Sequence, residues 1–343
     1  MDSADPPGWR GTTIALAGRC CRILVDDPAW LGYLSEACGR YETARAAEAR
    51  LYLAGRSDGL PEVPRALLAR ARDAGGPPPW VEQRDGWTTS TEARKWLVVG
   101  PELAVCWARQ PIASPASFYY NYLHPLLIEW LARSGVLYLH AGAVDHPATG
   151  PLLIVGPRHA GKTTTCLALV AAGGCRLLSD DTVLLDDDGH AHTLLRAMHP
   201  ERRLCEAWAS QLGIDRGVDR GIDGGLDGGL DTLPVLDDDR LDLDPARWFT
   251  DRLVARIDAP RTLLLPWAAG DEVTRCEPVG PEQAAAVVLA QLHAGVPPIA
   301  PAQLHRIAAL LALPALRVHI GRDAFADPAV LWRAVRGALE PRS

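Results

Sequence analysis

Residues 156–163 read Gly-Pro-Arg-His-Ala-Gly-Lys-Thr, directly after the apolar run Leu152 to Val155 and at the head of the helical pattern Thr163 to Ala172. No other stretch constrains the chain as much. The pattern G-x-x-x-x-G-K-[ST] between a strand and a helix lets backbone N–H groups and the positive end of the helix converge on phosphate oxygens. On this reading Gly156, Pro157, Arg158, His159, Ala160, Gly161, Lys162, Thr163 and Thr164 surround the phosphates of ATP. Lys162 bridges the β- and γ-oxygens, and Thr163 turns its hydroxyl to Mg²⁺. Such a unit also demands an α/β fold in which the strand lies inside a sheet.

Composition sharpens the motif. The 35 basic residues include only two lysines, Lys95 and Lys162. Abundant Ala, Arg, Gly and Pro read as the imprint of a G+C-rich genome, so a lysine standing inside a motif is informative. Its compact ammonium suits a phosphate loop where a planar guanidinium does not. Lys95 has no motif around it and reads as a solvated edge residue.

With a formal net charge of −7, nucleic acid is not expected as a partner. The eight cysteines show no metal-ligand spacing and read as reduced, mostly buried thiols. The start MDSADPPGWRG lacks the basic and apolar regions of a secretory signal, so a cytoplasmic location is expected. No apolar run reaches the length of a membrane span, and no membrane association is expected.

The chain divides into a small α+β domain over 1–110 and a phosphate-loop α/β domain over 111–343. In the first, strands are expected within Thr12 to Asp26, helices over Pro28 to Cys38, Ala44 to Leu53 and Pro64 to Ala74, and strands again within Gly86 to Val99 and Leu103 to Arg109. Seven of the eleven tryptophans precede residue 131 and read as core or interface packing. In the second, Ala116 to Ser134 has helical spacing, and strands are expected at Val136 to Val144, Pro151 to Val155, Thr262 to Trp267 and Ala315 to Ile320. Helices follow at Pro281 to His293, Pro301 to Ala312 and Pro328 to Leu339. Residues 213–232 form five tetrapeptides of the type GIDR, which read as a low-complexity surface loop. The Asp-rich segments 186–188 and 237–239 read as solvated turns.

Two further elements bear on chemistry. Cys175-Arg-Leu-Leu-Ser-Asp180-Asp181 is a short apolar strand ending in two carboxylates, 18 residues after Lys162, so it lies beside the phosphate-loop strand. His140 ends the run Gly135-Val-Leu-Tyr-Leu-His, and Gly142 lets backbone approach closely.

The order His-Ala-Gly-Ala-Val, strand, GPRHAGKTT, helix and LLSDDTVLL resembles the catalytic domain of HPr kinase/phosphorylase and the HPr-kinase-related proteins of peptide-maturation clusters, including lasso-peptide kinases. The likeness covers residues 136–186 and extends loosely to about 335, with Arg240 in DDDRLDLDP. It implies a phosphoenolpyruvate-carboxykinase-like nucleotide fold, with Lys162 and Thr163 holding ATP and Mg²⁺. Asp180 would be the base for an acceptor hydroxyl, His140 would sit beside it, and Asp181 would help hold the metal. The Glu-, Arg- and Gly-rich second signature of true HPr kinase/phosphorylases is absent. The basic stretch Arg196 to Arg203 stands in its place, so the resemblance does not extend to phosphorolysis or to HPr as substrate.

The expected function is therefore Mg-ATP-dependent transfer of a γ-phosphoryl group to a Ser/Thr hydroxyl of a peptide or protein, or to a small-molecule alcohol. The alternative is a nucleotide-dependent binding or regulatory protein without transfer. A homo-oligomer is compatible with either.

Overall fold

Two residues with left-handed backbone open the fold. Ala17 at φ 49° and Gly18 at φ 77° make the two-residue turn that joins β1 (Arg10–Leu16) to β2 (Arg19–Val25). The structure is a computed structural model and describes residues 5–55, 59–73, 80–92, 94–194, 196–213, 236, 239–268, 270, 272–293 and 301–340. These fall into two units, one built from residues 1–137 and one from 138–293 and 302–343.

In the first unit the β1–β2 hairpin is followed by α1 (Pro28–Cys38), capped by the Asp27 carboxylate on the Ala29 N–H, then β3 (Ala49–Ala54) and α2 (Glu62–Asp73). Next come β4 (Trp80–Arg84), β5 (Trp87–Thr91), β6 (Lys95–Val99) and β7 (Leu103–Ala108). The seven strands lie in the order β1-β2-β3-β7-β6-β5-β4, with β3 parallel to both neighbours. Residues 44–53 differ from the helix that their Ala, Arg and Leu content suggests. Flanked by β2 and β7, β3 buries nearly every side chain, and sheet packing overrides helix propensity.

Lys95 is likewise not a solvated edge residue. It is 7% exposed, and its ammonium donates to Glu92 Oε2 at 2.6 Å. The sequence division at residue 110 also shifts. Helix α3 (Pro115–Phe118), a π-turn at Tyr119–Leu123 and α4 (His124–Arg133) stay with the first unit, because α4 packs on β6 and β7. Trp9, Trp30, Trp96 and Trp130 are buried in this unit, as packing residues are.

The second unit contains β8 (Leu137–His146), β9 (Gly150–Val155), α5 (Lys162–Gly173), β10 (Arg176–Ser179), β11 (Thr182–Leu185), β12 (Ala191–His192), α6 (Arg202–Leu212), α7 (Pro245–Trp248) and β13 (Arg256–Ile257). It continues with β14 (Thr262–Trp267), β15 (Arg275–Val279), α8 (Pro281–Gln291), β16 (Leu292–His293), α9 (Pro301–Leu311), β17 (Ala315–His319), α10 (Arg322–Ala326) and α11 (Pro328–Leu339). The sheet order is β13-β12-β11-β8-β9-β14-β17-β15, and β10 and β16 also pair with β8, so the strand before the acidic pair lies beside β8 and not, as its spacing suggests, beside the phosphate-loop strand β9. Here β9, β14 and β17 run parallel, so their C-terminal ends share one edge. Cys166 to Val170 of α5 and Leu331, Trp332 and Val335 of α11 pack with Leu152, Ile154, Leu264, Leu316 and Val318 into one apolar core. The chain is thus mixed α/β.

From residue 214 the tetrapeptide run lies outside the described residues, as do 237 and 238. Residues 187 and 188 form an exposed turn, as expected, and only Asp186 is partly buried. Asp186 accepts from the Asp188 and His190 N–H groups and lies 2.8 Å from His192 Nε2. Among the described residues no helix is long and apolar enough to cross a membrane.

Gly142 carries a close approach between β8 and its neighbours. A Cβ there would lie 2.5 Å from Cys166 Sγ and 3.3 Å from the Asp180 backbone, so only glycine lets β8 press against α5 and the end of β10. Gly142→Ala is expected to cost about 1–3 kcal/mol in urea unfolding, and measurably less when Cys166 is also alanine. Equal costs in both backgrounds would show that the sulfur is not the obstacle.

Seven cysteines are buried and Cys276 partly so. Burial pushes the Cys38, Cys175 and Cys205 thiols up to about 12. Unfolded thiols ionise near their ordinary pKa of about 8.5, so this contribution to stability is complete below that pH and is lost as pH rises toward 12. The urea midpoint should therefore decline steadily above about pH 9, and a flat profile to pH 11 would contradict the burial.

Candidate functional site

Strand β9 ends at Val155 in the middle of the sheet, and the chain turns through 156–161 before α5 begins. Two residues in this turn have left-handed backbone, His159 at φ 65° and Gly161 at φ 101°. Glycine is required at 161 for a second reason, since a Cβ there would sit 2.4 Å from Ile320 Cδ1. The turn folds around the Lys162 ammonium, which donates to the carbonyls of Gly156 at 2.9 Å and Pro157 at 3.1 Å. Lys162 is 7% exposed, and burial lowers its pKa from the ordinary value.

The third partner of Lys162 determines a tautomer. Its Nζ lies 3.1 Å from His140 Nε2, and an ammonium can only donate, so Nε2 accepts and the ring proton resides on Nδ1. That Nδ1–H faces Asp181 Oδ1 at 2.9 Å. Burial lowers the His140 pKa to about 4, aided by the positive charges of Lys162 and Arg196, which keeps the ring neutral. The chain Lys162, His140, Asp181 is closed at its far end by Arg196, which pairs with Asp181.

The two adjacent aspartates face different elements. Strand β10 carries a bulge between Leu177 and Ser179, and the Ser179 hydroxyl accepts from the N–H groups of Asp181 and Thr182. In that turn Asp180 is directed to α5, where its Oδ2 accepts from the Thr163 hydroxyl at 2.7 Å, while Asp181 is directed to β8. Asp180 is 6% exposed. Burial raises its pKa above the ordinary carboxylate value, against the Thr163 hydrogen bond and the charges of Arg196 and His199. The resemblance puts His140 beside Asp180; the two line one cavity and the Asp180 charge acts on the imidazole, while the carboxylate bonded to the ring is that of Asp181.

His140, Arg158, His159, Gly161, Lys162, Thr163, Thr164, Asp180 and Asp181 all line one cavity of about 420 Å³. Gly156 and Pro157 contribute carbonyls to Lys162 instead, and Ala160 is turned inward at 8% exposure. Arg196 and Arg240 complete the cationic wall beside His199, with Arg240 Nη2 3.2 Å from His159 Nδ1. A surface of this kind can hold a polyanion at the loop beside two carboxylates, one of them buried.

Sequence reasoning did not find Ala268, Ile320 and Phe325, which also line the cavity. One topological signal was available. Ala268 follows β14 and Ile320 follows β17, as Gly156 follows β9, so all three leave the C-terminal ends of parallel strands, where ligands of open α/β sheets bind.

No model of a known protein family matches the chain, and no curated protein matches its sequence. Among solved structures, the chain is similar to the HPr(Ser) kinase/phosphatase from Coxiella burnetii, at 14% identity and a TM-score of 0.27. The match covers 60% of this chain and 99% of that one. This is a distant resemblance, and no activity passes across it.

Proposed function

We propose that the protein is a Mg²⁺- and ATP-dependent kinase acting on a Ser/Thr hydroxyl of a peptide or protein, or on a small-molecule alcohol. The observation that supports this most is the Thr163–Asp180 hydrogen bond of 2.7 Å at the head of α5, beside the buried ammonium of Lys162. Phosphoryl transfer asks the protein for little beyond positioning, charge neutralisation and a carboxylate near the incoming hydroxyl, and these residue types supply all three.

The loop N–H groups and Lys162 would take the phosphates of ATP. The hard oxygens of Thr163 and Asp181 form the kind of donor set that Mg²⁺ accepts. When bound, the ion would neutralise charge on the β- and γ-phosphate oxygens. Asp180 would take the proton of the acceptor hydroxyl as its oxygen forms the bond to phosphorus and the bond to the β-phosphate oxygen breaks, releasing ADP. The raised proton affinity of a buried carboxylate suits that task. Neutral His140, donating from Nδ1, would hold Asp181 in place.

Transfer from labelled ATP to a Ser/Thr peptide or an alcohol acceptor should fall on the order of 10²–10⁴-fold in Asp180→Asn, while ATP binding by calorimetry persists. Full transfer by that variant would remove Asp180 from the role of base. Lys162→Ala should abolish ATP binding itself, and retained affinity would exclude the phosphate loop. ATP binding by the wild type without turnover of any hydroxyl acceptor would leave the nucleotide-dependent binding protein as the surviving reading.

A further inference from the structure

The loop cavity opens onto a second cavity of about 500 Å³, and the two share Glu201, Ala268, Ile320 and Phe325 as walls. Their chemistry differs. The first is walled by Lys162, Arg158, Arg196 and Asp180, whereas the second is bounded by the apolar side chains of Leu204, Ala268, Ile320 and Phe325 together with Gly270 and the charged Glu201, Arg203 and Arg322. A nucleoside triphosphate has the same polarity along its length, a polyanion at one end and a flat, largely apolar heterocycle at the other. We propose that the second cavity is the nucleobase subsite, in which the purine of ATP lies on Ile320, Ala268 and Phe325 with the Arg203 guanidinium beside it. The proposal rests on the phosphate-loop reading above.

Three observations support this assignment. Ile320 touches the loop itself, because a Cβ on Gly161 would come within 2.4 Å of its Cδ1 and 3.9 Å of Ala268 Cβ. The apolar surface therefore begins one residue from Lys162. Second, the surface is anchored through main chain: the Ile320 N–H donates to Trp267 O at 3.0 Å, and the indole N–H of the buried Trp208 donates to Phe325 O at 3.1 Å. A preformed shelf of this kind adds little ordering cost when a base lands on it. Third, the Arg203 guanidinium lies 5.9 Å from the centroid of the Phe325 ring, so a planar cation and an aromatic ring, the two surfaces to which bases adhere, border one cavity.

The other side of the loop cavity suits the base poorly. There Asp180 and Asp181 face Arg196, with His199 nearby, a polar wall that offers an apolar ring no surface. That side is left to the acceptor.

The test separates base from phosphate with two probes, Mg-ATP and inorganic tripolyphosphate with Mg²⁺, titrated by calorimetry into the full chain. Phe325→Ala should weaken ATP binding roughly ten-fold or more, since base stacking on an aromatic side chain is worth about 1–3 kcal/mol, and should leave tripolyphosphate affinity unchanged. Because Phe325 also packs partly against the core, Arg203→Ala serves as the second variant. Its side chain is 75% exposed, so its removal spares the fold and should lower ATP affinity alone, by a few-fold. Unchanged ATP affinity in both variants, or equal losses for ATP and tripolyphosphate, would overturn the subsite. Loss of tripolyphosphate binding in Lys162→Ala, with ATP and tripolyphosphate bound equally well by the wild type, would uphold the phosphate loop and overturn the base site. A wild type that binds neither probe overturns both.

Discussion

An ammonium group taken out of water must be given partners, and the Lys162 side chain meets this demand in a way that organises everything around it. Two of its acceptors are carbonyls of its own loop, so the loop cannot relax without exposing an unpaired charge. The third is an imidazole on a neighbouring strand, which ties β8 to the head of α5. Because an ammonium only donates, the direction of every later hydrogen bond in the chain through His140 to Asp181 follows from it, and Arg196 ends the chain with a second positive charge. Gly142 makes the arrangement sterically admissible by removing the side chain that would hold β8 away from α5.

What could be seen in the sequence is what is encoded locally. The phosphate-loop pattern, the acidic pair and the histidine each sit within a short stretch whose flanking hydrophobicity identifies the elements, and the structure brings them into one cavity. The helices at 281–291, 301–311 and 328–339 and the strands at 262–267 and 315–319 were visible for the same reason, as periodic apolar residues between Pro and Gly. Local encoding failed where burial is decided by distant neighbours. Residues 49–54 carry the composition of a helix and form a strand because two other strands enclose them. Lys95 looks solvent-bound until Glu92 turns back over it.

The apolar part of the cavity was invisible for a different reason. Ala268, Ile320 and Phe325 are ordinary hydrophobic residues whose position follows from β9, β14 and β17 being parallel neighbours, and pairing across such separations leaves no mark in any one segment. The division of labour among the carboxylates was hidden too. Asp180 and Asp181 are identical in type and adjacent in sequence, and only the bulge and the Ser179 hydroxyl give them separate partners.

That last feature bears on how such a segment can evolve. Two like side chains on consecutive residues of this turn face different elements, so their identities are carried by position and not by chemistry. Substitutions around Ser179 to Asp181 alter the surroundings of each carboxylate one at a time. A single inserted or deleted residue, by contrast, displaces both carboxylates from the turn that directs them. The segment is thus far more sensitive to its length than to its composition, and divergent copies of it would drift in sequence while keeping the count of residues between the bulge and β11.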